Sequence, residues 1–352
     1  MNRGSTAMPH KQHIALAINP LSDVDKYRQL VDGIIEAVRT GQIRRGQALP
    51  TVGYFCKSFG LSKETVLKAY AILRNRGIVT AIPRKGYFVA TESVGHKANV
   101  LVLFDEFPAY KQVLYDQFIK TLAGKALVDL LFHHCRPVLF ESLLLDNIKD
   151  YDLAVVMPFA SKTVGKVLAQ VDPKKVLLLD RREHADERFS FIGQEFEEQT
   201  YQGLLAAADL LSKYKTFYLV FPHQADVAIK SSQAPREIIR GFKRFCREQR
   251  MPHHVLDSVA ELPVKKGDAI FLIDDADLVT AVEVARAKQF RLGADVGILS
   301  YNDSPVKRVI DRGITVISTD FAALGRRAAD YVLAPKHVVE IQPTFLIHRQ
   351  SL

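Results

Sequence analysis

Polar and aromatic residues follow several of the apolar runs in the C-terminal two thirds of this 352-residue sequence. Carboxylate, amide and guanidinium groups hydrogen-bond hydroxyls, and aromatic rings cover an apolar ring face, so together they provide the chemistry of a sugar site. Strand ends are polar in most α/β proteins, so the alternative for each residue is a solvated loop position. The residues of this kind are Asp105, Glu106, Phe107, Tyr110, Pro158, Phe159, Arg181, Arg182, His223, Gln224, Asp274, Asp275, Asp277, Asn302 and Asp303. Of these, we predict Asp105, Phe107, Tyr110, Phe159, Arg181, Asp274, Asp275, Asn302 and Asp303 as ligand-binding residues.

Basic residues dominate a second segment, near the N-terminus. Residues 24–92 hold twelve Lys or Arg against five Asp or Glu, which leaves +7 of the chain's net charge of +9. A localised basic surface attracts a polyanion, whereas a dispersed one only keeps a protein soluble. The charge therefore favours a small nucleic-acid-binding domain joined to a nearly neutral remainder, with a solvated basic face as the alternative.

Other functional classes lack their motifs. The sequence has no Gly-x-Ser-x-Gly elbow, phosphate-binding loop or Gly-x-Gly-x-x-Gly turn. The acids Asp274, Asp275 and Asp277 are better explained as caps of a helix than as a catalytic or metal cluster. Three cysteines, far apart, match no metal-ligand spacing. We therefore expect a non-enzymatic protein without metal or cofactor, and the absence of membrane-length apolar runs or a secretion signal leads us to expect a cytoplasmic one.

The basic segment has the element order of a winged helix-turn-helix domain. Periodic apolar residues, helix caps and turn residues predict three helices and then a hairpin with a basic tip. These elements are 24–40, 52–59, 63–75, and 78–82 paired with 87–90. In such domains the third helix enters the major groove, and the hairpin contacts the DNA backbone or the minor groove.

This segment resembles the GntR family of bacterial transcriptional regulators. The resemblance lies in Tyr27-Arg28-Gln29-Leu30, Gly41-Gln42-Ile43, Leu49-Pro50-Thr51, Leu61-Ser62-Lys63-Glu64-Thr65-Val66, Gly77-Ile78 and Gly86-Tyr87-Phe88-Val89. Three positions depart from the family pattern, because Gly53 and Leu67 stand where arginine is common and Arg84 stands where glycine is common. The resemblance implies a family fold with altered base contacts.

The resemblance also implies which residues contact DNA. They lie in the loop after the first helix, around the start of the third helix and on the wing. We predict Arg44, Arg45, Thr51, Ser62, Lys63, Glu64, Thr65, Lys68, Arg84, Lys85, Gly86 and Tyr87. A winged domain that makes only protein contacts is the alternative.

The remaining sequence alternates strand-length apolar runs with helical patterns, which predicts parallel sheets of βαβ units. Eight strands are too many for one small sheet, so we expect two lobes around a cleft. The predicted strands are 100–104, 126–132, 153–157, 176–179, 216–221, 269–273, 296–299 and 315–317. We thus predict an α/β chain with a winged helix-turn-helix domain (21–91), a polar linker (92–99) and a two-lobed effector-binding and dimerisation domain (100–352).

The two-lobed part resembles the core that LacI-type repressors share with periplasmic sugar-binding proteins. The matching residues are Val176-Leu177-Leu178-Leu179-Asp180-Arg181, Phe191-Ile192-Gly193-Gln194-Glu195, Gly241-Phe242, Ile298-Leu299-Ser300-Tyr301-Asn302-Asp303, Thr315-Val316-Ile317 and Leu324-Gly325-Arg326-Arg327-Ala328-Ala329. The resemblance adds Gln194 and Arg236 to the predicted ligand-binding residues. It also marks two departures, because Ile238 occupies the family's arginine position and Asn302 that of its first aspartate.

The pairing of these two domains resembles arabinose-type repressors. It implies a homodimer that binds double-stranded operator DNA and is controlled by a small effector, a pentose or hexose. The alternative is a GntR-type regulator whose C-terminal core is a dimerisation scaffold without a small-molecule effector.

Overall fold

The computed structural model describes residues 16–22, 24–91, 97–183, 185–221 and 234–352. Most of the predicted linker, residues 92–96, lies outside the described residues, as do His223 and Gln224. The contacts divide the chain into two compact units, one ending at Lys97 and one spanning Ala98–Leu352. Among the described residues, none of the helices combines the length and apolar character needed to cross a bilayer.

The N-terminal unit contains three helices and a hairpin in the predicted order. They are α1 (Lys26–Arg39), α2 (Val52–Phe59), α3 (Lys63–Asn75), β1 (Val79–Ile82) and β2 (Gly86–Val89). The apolar stripes of the helices pack into one core in which Leu30, Ile34, Tyr70 and Leu73 are fully buried. Burial of these stripes, rather than intrinsic propensity, stabilises such short helices.

Side-chain caps set where the second and third helices begin. Thr51 Oγ1 accepts a hydrogen bond from the Tyr54 amide at 3.2 Å, and Ser62 Oγ accepts one from the Thr65 amide at 3.1 Å. Gly60 lies between the two helices with φ at 64°, a left-handed conformation that glycine adopts without strain. Thr51 and Ser62 therefore fix the starts of α2 and α3, and Gly60 fixes the turn between them.

The hairpin carries a third segment that was not predicted. The Gly46 amide donates to the Val89 carbonyl at 2.8 Å, the Leu49 amide to the Tyr87 carbonyl at 2.8 Å, and the Val89 amide to the Gln47 carbonyl at 3.0 Å. Two glycines and a proline in 41–50 predict a loop, and the pairing is too short to produce strand periodicity. The wing is consequently tied to the loop that follows α1.

The second unit is built from strands and helices in alternation. In chain order they are β3 (Ala98–Phe104), α4 (Ala109–Leu122), β4 (Ala126–Phe132), α5 (Pro137–Leu145), β5 (Leu153–Val156), α6 (Lys162–Leu168), β6 (Val176–Asp180), β7 (Ser190–Gly193), α7 (Phe196–Ala206), α8 (Ala208–Leu211), β8 (Thr216–Val220), α9 (Glu237–Glu248), β9 (His253–Leu256), β10 (Asp268–Leu272), α10 (Asp275–Ala287), β11 (Gly297–Tyr301), β12 (Thr315–Thr319), α11 (Phe321–Leu333), β13 (Val339–Ile341) and β14 (Thr344–Ile347).

These elements form two lobes, each around a six-stranded sheet. The first lobe has the strand order β13-β7-β6-β5-β3-β4, all parallel. The second has the order β14-β12-β11-β10-β8-β9, in which only β14 is antiparallel to its neighbour. Helices α4 and α11 cover one face of the first sheet and α5 and α6 the other, while α7 and α9 lie opposite α10 on the second. Burial on both faces explains the uninterrupted apolar runs.

The chain passes between the lobes three times within the described residues. The passages are after β7, after β12 and after β13, so both sheets direct their carboxyl ends towards the region between the lobes. The predicted two-lobed parallel architecture is confirmed.

The observed strands of the second unit differ from the predicted ones in two respects. Strand β3 begins at Ala98, so Ala98 and Asn99 belong to the sheet rather than to the predicted linker. Strands β9, β13 and β14 were missed because each has three or four residues and lies at a sheet edge, half exposed, where no continuous apolar run forms. Strand β7 is buried but has only four residues, two of them Ser190 and Gly193, so it also formed no apolar run.

The close contact between α11 and α4 gives a stability prediction. A Cβ atom added at Gly325 would lie 2.2 Å from the Leu114 carbonyl oxygen, a backbone atom that cannot move away alone. We expect Gly325→Ala to lower the free energy of unfolding by about 1–3 kcal/mol through overpacking. The matched control is Gly53→Ala in α2, where the nearest atom is 4.0 Å away and alanine favours the helix. Calorimetric melting of both variants checks this, and an unchanged melting temperature for Gly325→Ala would contradict the packing described.

Candidate functional site

A cavity of about 510 Å³ lies between the two lobes, within the size range of small-molecule sites. It is lined by residues that follow β3, β6, β10 and β11 and by the first residues of α7, α9 and α10, as expected at the carboxyl ends of parallel strands. The structure brings together these predicted residues: Asp105, Tyr110, Arg181, Gln194, Asp274, Asp275 and Asn302.

The other predicted ligand-binding residues in the described chain do not line the cavity; they are Phe107, Phe159, Arg236 and Asp303. Phe107 points into a cluster of aromatic rings that includes Phe132, 5.8 Å between centroids. Phe159 is buried and stacks on the His133 ring at 5.0 Å, so it belongs to the core. Asp303 forms an ion pair with Arg349, whose two terminal nitrogens donate to the two carboxylate oxygens at 2.9 and 2.8 Å. Arg236 is exposed just before α9.

Among the other lining residues, Glu106 and Asp277 were noted at strand ends but not selected as ligand-binding, whereas Lys111, Asp180, Phe196 and Tyr301 were missed. Asp180 and Tyr301 are the last residues of β6 and β11 and directly precede the predicted residues Arg181 and Asn302, so their place in the sequence was a usable signal. Lys111 had no such signal, because it lies within α4 and a helical lysine is normally solvated.

Lys111 is buried and neutralises the carboxylate at the end of β3. Its Nζ donates to Asp105 Oδ1, and the two residues are 4% and 6% exposed. Burial would raise the pKa of Asp105, but the Lys111 ammonium outweighs it and holds that pKa below its usual value. Burial likewise opposes charge on Lys111, but Asp105 raises the Lys111 pKa overall. The pair therefore remains ionised inside the lobe.

His133 lies behind this ion pair as a neutral side chain. Burial lowers its pKa to about 4. The Cys135 amide donates to Nδ1 at 3.1 Å, which assigns the proton to Nε2, 2.9 Å from the Met157 carbonyl oxygen. The residue is thus a satisfied core histidine that orders the loop after β4.

A chain of hydrogen bonds joins the cavity to all three passages between the lobes. Gln194 Nε2 donates to Asp180 Oδ1 at 2.6 Å, and Thr319 Oγ1 donates to Gln194 Oε1 at 2.8 Å. The Thr319 and Thr344 hydroxyls hydrogen-bond at 3.0 Å. Gln194 follows β7, Thr319 ends β12 and Thr344 begins β14, so one network spans the three joints.

Lys307 is a buried lysine of the second lobe that pairs with a carboxylate, as Lys111 does in the first lobe. It is 1% exposed, and its Nζ donates to the carbonyls of Tyr301 and Asn302 at 2.8 and 2.7 Å. Its ammonium also lies 2.8 Å from Asp275 Oδ1 at the start of α10. Burial lowers the pKa of Lys307, and Asp275 opposes that change. Lys307 thereby fixes the end of β11 against α10.

The predicted DNA-contacting residues lie on one small unit, most of them exposed. Those exposed are Arg44, Arg45, Thr51, Ser62, Lys63, Glu64, Lys68, Arg84, Lys85 and Gly86, while Thr65 and Tyr87 are half-buried. The Tyr87 ring lies 4.4 Å from that of Tyr70, so Tyr87 supports the wing from within. Lys68 Nζ lies 3.9 Å from the centroid of the Tyr27 ring, a cation–π contact to α1. Arg84 adopts φ of 62°, the left-handed conformation for which glycine is suited at that position.

The buried ion pair gives a second prediction. Lys111→Met leaves the Asp105 carboxylate buried without its cation, which we expect to cost about 3–5 kcal/mol of stability. Asp105→Asn combined with Lys111→Met removes both charges and should recover most of that loss. Denaturant titration of the two variants measures the difference. Equal destabilisation of the single and double variants would show that the pair is not what holds the first lobe at this point.

Comparison with known proteins matches the two units separately. Residues 26–89 match the model of the bacterial regulatory proteins of the gntR family, and residues 212–352 match the model of the periplasmic binding protein-like domain. The chain is 36% identical over 80 residues to the mannosyl-D-glycerate transport/metabolism system repressor MngR of Escherichia coli, covering 23% of this chain and 33% of MngR. It is 26% identical over 89 residues to the HTH-type transcriptional repressor NagR of Bacillus subtilis, covering 25% and 37%. The chain spans about a third of the length of these relatives.

Solved structures similar to the second unit share its fold at low identity. A LacI family transcriptional regulator from Silicibacter pomeroyi has a TM-score of 0.60 at 17% identity, covering 72% of this chain and 98% of that one. The trehalose repressor from Escherichia coli has a TM-score of 0.59 at 14% identity, covering 71% and 100%. A LacI family regulator from Lactobacillus casei with bound sucrose has a TM-score of 0.59 at 15% identity, covering 72% and 99%. The chain therefore combines an N-terminal domain of the gntR family of bacterial regulatory proteins with a two-lobed periplasmic binding protein-like domain, whose fold is similar to that of LacI family regulators.

Proposed function

We propose that this protein is a cytoplasmic, non-enzymatic transcriptional repressor that binds operator DNA and responds to a small sugar, a pentose or hexose. The observation that carries the proposal is the joining of a basic winged helix-turn-helix unit to a second unit with a cavity between two lobes. The names of MngR and NagR, both repressors, support the regulatory role. The sucrose-bound Lactobacillus casei regulator supports a sugar as the class of ligand.

The DNA-binding part of the proposal rests on charge and exposure. Lys63 and Glu64 are exposed in the first turn of α3, where the helix dipole and the free amides favour a phosphate. Arg84 and Lys85 are exposed on the turn between β1 and β2. A recognition helix and a wing with these side chains contact bases and backbone of one half-site.

The effector part rests on the hydrogen bonds that reach from the cavity to the joints. A sugar bound at Asp180 and Gln194 contacts the network that includes Thr319 and Thr344, so it favours one relative position of the lobes. In a homodimer this change alters the spacing of the two recognition helices and shifts the population away from the DNA-binding state. A dimer is also required because a single winged helix reads too few base pairs to be selective.

Lys63 tests the DNA interface. Lys63→Ala should weaken operator binding and lower the salt slope, log Kd against log salt, by about 0.9, because one phosphate contact is lost. Lys120→Ala in α4 of the other unit removes the same charge from an exposed position and should leave the slope unchanged. Fluorescence anisotropy over a range of salt concentrations gives both slopes. If the two variants behave alike, α3 is not placed on DNA as proposed.

Ligand-dependent melting tests the effector cavity. A sugar at a hundredfold excess over its Kd should add about 2.7 kcal/mol to the free energy of unfolding, and so raise the melting temperature of the second unit. Pentoses, hexoses, disaccharides and their amino and phosphorylated derivatives form the panel. If none of them raises the melting temperature, the second unit is a dimerisation scaffold and the effector part of the proposal is wrong.

A further inference from the structure

The cavity is lined by more acidic than basic residues. Its acidic lining residues are Asp105, Glu106, Asp180, Asp274, Asp275 and Asp277, and its basic ones are Lys111 and Arg181. Both bases are engaged, because Lys111 pairs with Asp105 and Arg181 pairs with Glu183 at 2.6 Å. Asp275 is neutralised from behind the cavity wall by Lys307. The existing cations are therefore already used by particular carboxylates.

Three lining carboxylates take part in no salt bridge in the described part of the chain: Glu106, Asp180 and Asp274. Glu106 follows β3 in the first lobe, and Asp274 precedes α10 in the second. Burial raises the pKa of Glu106, and the charges of Asp105 and, across the cavity, Asp274 raise it further. The two lobes thus present like charges to each other, which disfavours their approach unless a positive group lies between them.

Neutral acceptors at the same cavity also lack partners among the described residues. Tyr301 is 3% exposed, and its hydroxyl is buried without a hydrogen bond of normal length to any described residue. Asn302 Oδ1 is buried and unsatisfied too. Both residues line the cavity. Because buried polar atoms are normally hydrogen-bonded, these two atoms of the cavity wall lack the partners that such atoms usually have.

We propose that the effector is a polyhydroxylated molecule with a protonated amine, an amino sugar or amino polyol, whose ammonium group lies between Glu106 and Asp274. This inference rests on the proposed function and narrows its ligand. An ammonium group supplies three donors and one positive charge, so it satisfies carboxylates from both lobes and stabilises their closed arrangement. A phosphate or carboxylate on the sugar adds a negative charge to a cavity whose described lining has six carboxylates against two cations, so we expect such sugars not to bind.

Matched ligands test the proposal. For the gluco, galacto and manno series, and for the corresponding pentoses, the panel contains the amino sugar, its N-acetyl derivative, the parent sugar and the sugar phosphate. Isothermal titration of the full chain measures each Kd. We expect the tightest ligand to be an amine, with at least tenfold weaker binding of its neutral N-acetyl and hydroxyl counterparts and no binding of the phosphate.

Charge-neutral variants locate the amine. Glu106→Gln and Asp274→Asn should each raise the Kd for the amino sugar at least tenfold. They should raise the Kd for the parent sugar less, so the ratio of the two Kd values should fall. Asparagine still caps a helix, so Asp274→Asn keeps the hydrogen bonds to the amides of Ala276 and Asp277 that begin α10. The matched control is Asp172→Asn, which also changes an N-cap aspartate, before the turn 173–175 that leads into β6, but lies outside the cavity and outside the passages between the lobes. Its amine affinity should equal that of the unaltered chain.

The outcomes separate this inference from the proposed function. If the tightest ligand is a neutral or phosphorylated sugar, or if Glu106→Gln and Asp274→Asn bind the amine as tightly as Asp172→Asn does, the inference is overturned while a sugar-responsive regulator stands. If no compound of any class binds, the effector function fails and the inference fails with it.

Discussion

The second unit depends on the hydrogen bonds that join its three chain passages. Gln194, Thr319 and Thr344 belong to three different passages and share one network, which ends at the Asp180 carboxylate in the cavity. Each lobe has its own buried core, so the lobes are stiff and the passages are where their relative position is decided. A ligand that contacts Asp180 therefore contacts the hydrogen-bond network that joins the three passages.

Each lobe has one buried lysine that holds a strand end next to the cavity. Lys111 neutralises Asp105 at the end of β3, and Lys307 binds the end of β11 and Asp275. Isolated buried charges are costly, so each lysine is retained with a carboxylate and with the hydrogen bonds that hold a strand end in place. The carboxylates not used in this way are the ones that remain for a ligand.

Much of the fold was predicted from the sequence because its signals are local. The helix boundaries of the winged unit follow from Thr51, Gly60 and Ser62, whose caps and turn conformation depend only on near neighbours. Strands buried on both faces produce apolar runs. Edge strands such as β13 do not, since their pairing depends on a distant partner, β7, and one face stays exposed.

The cavity was predicted less completely, and for a physical reason. Sequence identifies which residues follow a strand but not the direction of each side chain, so Asp105 and Phe107 received equal weight although only Asp105 lines the cavity. Lys111 could not be predicted as a cavity residue, because its burial arises from packing between α4 and the strand ends. The carboxylate excess became apparent only when the partner of each charge was known.

We propose that this one chain couples recognition of duplex DNA to occupancy of the cavity between its lobes. The most direct measurement of this coupling is the Kd of the full chain for a duplex selected from a random pool, determined with and without saturating effector. Coupling of about 1–3 kcal/mol corresponds to a change of roughly 5–150-fold, and we predict weaker binding with effector present. An affinity unchanged by the bound effector, or failure to select any duplex at low salt, would contradict the account.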